Sequence, residues 1–178
     1  MPRLPYVPRD LAEPREIVDA IRARRGGTLI ALDRMLLHSP PVAMGWNHLL
    51  GAVRRDMTLS PRLRELAMCV VAVLNGAEYE WTHHAPLFVE HGGTEEQLEA
   101  LRDPITALIE EGRFDASERA AIALSIEMTR GVKVSDATFA AARASLPDDR
   151  QTFELVMTIA AYNMVSRVLV ATGIGEDD

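Results

Sequence analysis

From Pro14 almost to the end of the chain, apolar residues recur at intervals of three and four, the spacing that lays one face of an α-helix on a core. Pro14 suits a first helical turn, and Ile17, Val18 and Ile21 follow until Gly26 and Gly27 stop the pattern. The same signals predict helices over residues 28–37, ended by Ser39-Pro40-Pro41, and over 42–54. Ser60-Pro61, a capping serine before a proline at the first helical position, opens a helix over 61–74 that Asn75-Gly76 breaks. A helix over 78–91 closes at Gly92-Gly93, and the capping box Thr94-Glu95-Glu96-Gln97 opens a short one to 102. Further helices are predicted over 105–111, 115–130, 135–145 and 149–171, before Gly173 and an acidic tail. No stretch sustains the period-two alternation of a half-buried strand. The fold class is all-α, one helical domain over residues 14–178. Ahead of it, residues 1–13 form an extended arm in which Pro2, Pro5 and Pro8 deny regular hydrogen bonding.

The helix over 61–74 departs from the amphipathic pattern. Residues 66–74 are apolar on every face, so protein is expected to surround them. Glu65 stands immediately before that run, and Met68, Cys69 and Ala72 further along its face cannot neutralise a carboxylate. A carboxylate there needs a partner or takes up a proton. Two readings stay open: Glu65 is satisfied near the helix start by Arg62 or the helix dipole, or it belongs to a buried polar site. Cys69, inside the apolar run, reads as a small core hydrophobe.

The next helix carries Glu80 and His84 four apart, neighbours on one face. A carboxylate beside an imidazole favours the protonated ring and orients it, which suits proton transfer. Ala77 and Ala85 leave room nearby for a ligand or a close helix, and Trp81 serves as a core anchor or a substrate platform. His83 points about 100° away from His84 around the helix, so the two do not share one site within a subunit. With His38, His48 and His91 on separate segments, no set of three ligands for a catalytic zinc is expected.

Bulk properties narrow the class. A chain of 178 residues is long enough to bury a core without disulfides. Its net charge of -7 argues against a nucleic-acid surface. The one basic cluster, Arg22, Arg24 and Arg25, ends a predicted helix where cations complement the dipole. A single cysteine fits a reducing compartment, residues 1–10 lack a secretory signal, and the longest apolar run falls short of the ~20 residues that span a bilayer. A soluble, cytoplasmic protein is expected, with no membrane partner.

Glu65, followed twelve, fifteen and nineteen positions later by Ala77, Glu80 and His84, resembles the spacing E-x(11)-C-x-x-C-x-x-x-H of the AhpD-like family. There the two cysteines form a redox pair that supports peroxide reduction, with the glutamate and histidine passing protons to them. Here Ala77 and Glu80 stand at the cysteine positions. The string Asn75-Gly76-Ala77-Glu78-Tyr79-Glu80-Trp81-Thr82-His83-His84 is similar instead to the E-W-x-x-H version of carboxymuconolactone decarboxylase-like proteins. Gly92 to Leu98 resembles that family's glycine turn, and the last helix, with Tyr162-Asn163, resembles its closing helix more loosely.

The resemblance implies an AhpD-like helical bundle that assembles as a homo-oligomer, a trimer or hexamer with sites at or near subunit contacts. Without the thiol pair a thiol–disulfide cycle cannot run. The expectation is therefore cofactor-independent decarboxylation or isomerisation of a small carboxylated lactone or organic acid. His84 would move the proton, Glu80 hold and tune it, and Glu65 relay, with Trp81, His83 and Ala77 at the substrate. Two alternatives stand beside it: peroxidase-type antioxidant activity, which needs an exposed Cys69, and a non-catalytic binding or assembly protein.

Overall fold

The computed structural model describes residues 1–110 and 112–175 and holds, among them, ten helices and no strand. In chain order they are α1 (Arg15–Arg25), α2 (Ala31–Leu36), α3 (Pro40–Arg55), α4 (Pro61–Leu74), α5 (Glu78–Glu90), α6 (Glu95–Ala100), α7 (Pro104–Ile109), α8 (Ala116–Gly131), α9 (Asp136–Ser145) and α10 (Asp149–Thr172). Each falls where the apolar spacing places a helix. The start of α3 differs: Pro40-Pro41 does not end the preceding segment but opens α3, with Ser39 at the cap. Proline costs nothing there, because the first helical N–H groups have no intrahelical partner. Glu111, the predicted end of the seventh helix, and the acidic tail from 176 lie outside the described residues.

Contacts within the chain group it into two compact units, residues 1–56 with 169 onward, and residues 57–168. In the first, α1 and α2 pack on α3 around Val18, Ile21, Leu32, Leu50 and Val53. The arm does not fray. Arg3 N–H donates to Thr172 O at 2.8 Å, Arg34 Nε donates to Val7 O at 2.7 Å, and His38 Nε2 lies 2.6 Å from Pro5 O. The basic end of α1 serves a buried acid as well as the helix dipole: Arg25 Nε reaches Asp33 Oδ2 at 3.0 Å, and Arg24 bonds Asn47 and Asp33. Burial, with Arg25 next, brings the Arg24 guanidinium down to about 10.

In the second unit α4 is the centre. Ten consecutive residues, 63–72, are buried, and α5, α7 and α8 pack around them. That is the surrounded helix that the all-round apolar run predicts. Its entry is set by α10: Glu154 Oε2 accepts from Thr58 N at 2.8 Å, Thr58 Oγ1 at 2.9 Å and Leu59 N at 2.7 Å. Arg62 leaves the helix sideways to bond Glu118 Oε1 at 2.7 Å, Gln97 Oε1 at 3.1 Å and Gly92 O at 2.5 Å, tying α4 to α6 and α8. Helix α10 is long and apolar enough to cross a membrane by length and composition, yet half of its apolar window is buried inside the protein.

The glycine turn after α5 has a steric cause. Gly92 sits at φ +96°, where L side chains are strained, and a Cβ on Gly93 would lie 2.3 Å from the buried Phe88 ring. Gly93→Ala is expected to destabilise by about 1–3 kcal/mol through overpacking, measured by denaturant unfolding; an unchanged midpoint would contradict this account. The Glu154 carboxyl resists burial, which raises its affinity for a proton, but the bonds from Arg150, Leu59 and Thr58 outweigh it and hold it below the usual range. Its contribution is therefore present above the unfolded carboxylate range and lost as pH falls through the lower folded value. In Glu154→Gln this acid-side loss should flatten, read from melting temperature against pH.

Candidate active site

The turn between α4 and α5 is short. Asn75, Gly76 and Ala77 reverse the chain, with Gly76 at φ +63° and Ala77 N–H donating to Ala72 O at 2.8 Å. Two helices joined this way run side by side in opposite directions. Glu65 lies ten residues before Asn75 and His84 seven after Ala77, so the reversal brings them level. The carboxylate that cannot be satisfied on its own helix finds its partner on the next.

Glu65 Oε2 is 2.6 Å from His84 Nδ1, with both residues 3% exposed. On the other side of the ring, the Tyr162 hydroxyl of α10 is 3.0 Å from Nε2, and the two rings meet edge to face at 4.9 Å. One α10 turn further on, Ser166 Oγ is 2.7 Å from Glu80 Oε2 and 2.8 Å from Tyr162 O. Arg64 Nε approaches Glu65 Oε1 to 3.5 Å. Glu80, Tyr162 and Ser166 are all buried. A bond of 2.6 Å between carboxylate and imidazole is in the charge-assisted range, and it selects the tautomer. With Glu65 ionised, Nδ1 carries the hydrogen and Nε2 accepts from Tyr162.

The structure therefore brings Glu65 and His84 into direct contact and holds Glu80 beside them through Ser166 and Tyr162. The acid 2.6 Å from the imidazole is Glu65, while Glu80 bonds Ser166 on α10. Arg62, the other candidate partner of Glu65, is engaged with Glu118. Ala77 is buried at the start of α5. Trp81 is buried under the Arg102 guanidinium, 3.9 Å from the ring. His83 is exposed and bonds the Tyr79 carbonyl of its own helix at 2.7 Å. Tyr162 and Ser166 are the residues that sequence reasoning missed. Their signal was a series of hydroxyls four apart, Thr158, Tyr162 and Ser166, on one buried face of α10.

Cys69 is buried, and desolvation, then Glu65 and Glu80, push its thiol well above the usual range. Among the described residues no group of three or more His, Cys, Asp and Glu side chains is placed to hold a metal ion. A groove of about 460 Å³ between α8 and α9, lined by Arg119, Ala120, Ala123 and Ala141, involves none of these polar side chains.

Residues 40–108 match the carboxymuconolactone decarboxylase family. An uncharacterized peroxidase-related protein from Silicibacter sp. TM1040 superposes with a TM-score of 0.78 at 18% identity, over 98% of this chain and 91% of that one. The alkylhydroperoxidase AhpD core of a peroxidase-related protein from Ralstonia eutropha JMP134 gives 0.79 at 18% identity, over 99% and 93%. The debrominase Bmp8, in complex with 2,3,4-tribromopyrrole, gives 0.77 at 14% identity, over 96% and 89%. Among curated proteins none matches. At these identities the structural likeness is one of fold. The stretch that carries Glu65, Glu80 and His84 thus matches the carboxymuconolactone decarboxylase family, and the chain has the all-helical fold of AhpD-like proteins.

Proposed function

We propose that this chain is a cofactor-independent proton-transfer enzyme, a decarboxylase or isomerase of a small carboxylated lactone or organic acid, with His84 as the group that moves the proton. The observation that carries this reading is the buried 2.6 Å contact between Glu65 Oε2 and His84 Nδ1. Glu65 fixes the tautomer in which Nε2 is the basic nitrogen. A substrate atom that takes the place of the Tyr162 hydroxyl at Nε2 passes its proton there, and Glu65 stabilises the imidazolium that forms. Returned to another carbon, the proton completes an isomerisation; delivered to the carbon that has released CO2, it completes a decarboxylation. The Tyr162 hydroxyl, freed from Nε2, donates to the enolate oxygen that carries the electron pair in between. A positioned acid–base pair of this kind contributes on the order of 10²–10⁴-fold in rate.

Hydrogen counting supports a neutral Glu80. The Ser166 hydroxyl has one hydrogen and two oxygens within bonding distance, Glu80 Oε2 and Tyr162 O. Both contacts become hydrogen bonds when Glu80 carries a proton and donates it to Ser166, while Ser166 donates to the carbonyl. Burial acts in the same direction, since desolvation favours the neutral form of a carboxyl group. Glu80 then serves as a proton reserve beside the relay. Trp81 and Ala77 would bound the substrate from the α5 side, and His83 would meet a neighbouring subunit of a cytoplasmic trimer or hexamer. Exposed Phe139 and Phe153 suit such assembly.

Peroxidase chemistry is disfavoured because Ala77 and Glu80 replace the thiol pair and Cys69 is buried. A scaffold without activity would also explain a packed polar cluster. Solvent deuterium incorporation into a panel of carboxylated lactones separates these readings. His84→Gln is expected to slow exchange by at least about 10²-fold with circular dichroism unchanged. Exchange as fast as in the wild type would sink the relay. Native Cys69 should react with Ellman's reagent far more slowly than the unfolded chain does. Rapid native labelling together with peroxide consumption would favour the peroxidase.

A further inference from the structure

The guanidinium of Arg64 is nearly buried, its side chain 9% exposed, yet its Nε makes no hydrogen bond. Buried polar groups are almost always hydrogen-bonded, so an exception calls for a ligand or another cause. The one ion-pair contact of Arg64 among the described residues is Glu65 Oε1 at 3.5 Å. At that separation and angle Glu65 does not use the Nε–H, and its other oxygen is already committed to His84. Of the charged and hydroxyl groups of the cluster, Arg64 is also the most exposed, at 8% against 3% for Glu65 and His84 and none for Tyr162. Arg64 is thus the member of the cluster with most surface towards solvent. In a chain of net charge -7, it is a local positive site amid a repulsive field for anions.

We infer that Arg64 is the anion-anchoring residue of the site, binding the carboxylate of a small organic acid through its unspent Nε–H and the adjacent Nη of the same fork. The guanidinium edge matches a carboxylate in bidentate geometry, which fixes the orientation of the acid as well as its position. Arg64 and Glu65 are adjacent on α4, so an acid held by the first lies beside the pair that handles the proton. The anchor also selects: a neutral ester or amide of the same shape leaves the Nε–H unsatisfied and forfeits the charge-assisted bond. This assignment rests on the reading of Glu65 and His84 as a proton relay, and it adds the group by which the substrate is recognised.

Calorimetric titration of benzoate against benzamide tests it, since the two share shape and differ in charge. The wild type is expected to bind benzoate on the order of 10–100-fold more tightly than benzamide. Arg64→Gln should erase the difference, Arg64→Lys should restore part of it, and Arg55→Gln, an exposed arginine of the other unit, should leave it intact. Benzoate bound equally by wild type and Arg64→Gln, or bound no better than benzamide by the wild type, overturns the assignment. If Arg64→Gln does not fold, the Arg64 15Nε resonance of the wild type decides: a shift with benzoate and none with benzamide supports it, and no shift with either refutes it. If His84→Gln keeps full proton exchange while Arg64→Gln loses benzoate, the relay falls and the anion site stays. The opposite pattern removes the anion site and leaves the relay.

Discussion

A carboxylate within the buried stretch of a central helix is the constraint around which this molecule is arranged. Glu65 cannot be hydrated where α4 places it, and removing its partner would leave a charge uncompensated in the interior, a cost on the order of 3–5 kcal/mol. The α4–α5 reversal exists at a length that brings His84 level with it. His84 in turn has a second nitrogen to satisfy, which draws Tyr162 of α10 inward, and the next inward residue on that helix face, Ser166, takes up Glu80. Three helices are thereby linked through one chain of buried polar contacts. A network of this kind specifies a single register among helices whose apolar faces alone would tolerate several.

The replacement of a thiol pair by Ala77 and Glu80 changes what such a network can do. Thiols would exchange electrons; a carboxyl group exchanges only protons. Glu80 fills the space with a carboxyl group bonded to the Ser166 hydroxyl. The surrounding groups, Glu65 and His84, suit either chemistry, because a base close to a carboxylate serves any step in which a proton must leave or arrive. The lone Cys69 is compatible with this change. It is an apolar packing element flanked by two acids that disfavour its thiolate.

Most of the helical architecture was legible from the chain, since Gly and Pro punctuation and apolar periodicity act locally. Pro40-Pro41 was misread because a proline pair both ends one helix and begins the next, and only the position of Ser39 as a cap decides between the two. The Glu65–His84 pairing was legible as a spacing but not as a bond. Helical spacing sets Glu80 beside His84 on one face, whereas the short bond of Glu65 to the ring is a tertiary contact between α4 and α5. Tyr162 and Ser166 were hidden for a different reason. Hydroxyls four apart on one helix face do not reveal what that face meets, and their importance comes from what α10 is packed against. Arg62 and Arg64, two apart on α4, likewise diverge, one to Glu118 and Gln97, the other towards Glu65.

Tyr162 and Ser166 lie well beyond the stretch, residues 40–108, that carries the family pattern. The acid–base pair and the hydroxyls that complete its hydrogen bonding are thus written on separate parts of the chain. Either part can drift without the other recording it. Relatives recognised only through the shared stretch therefore need not share the electrostatic surroundings of their histidine, and a fold kept nearly constant can accommodate reactions that have little in common.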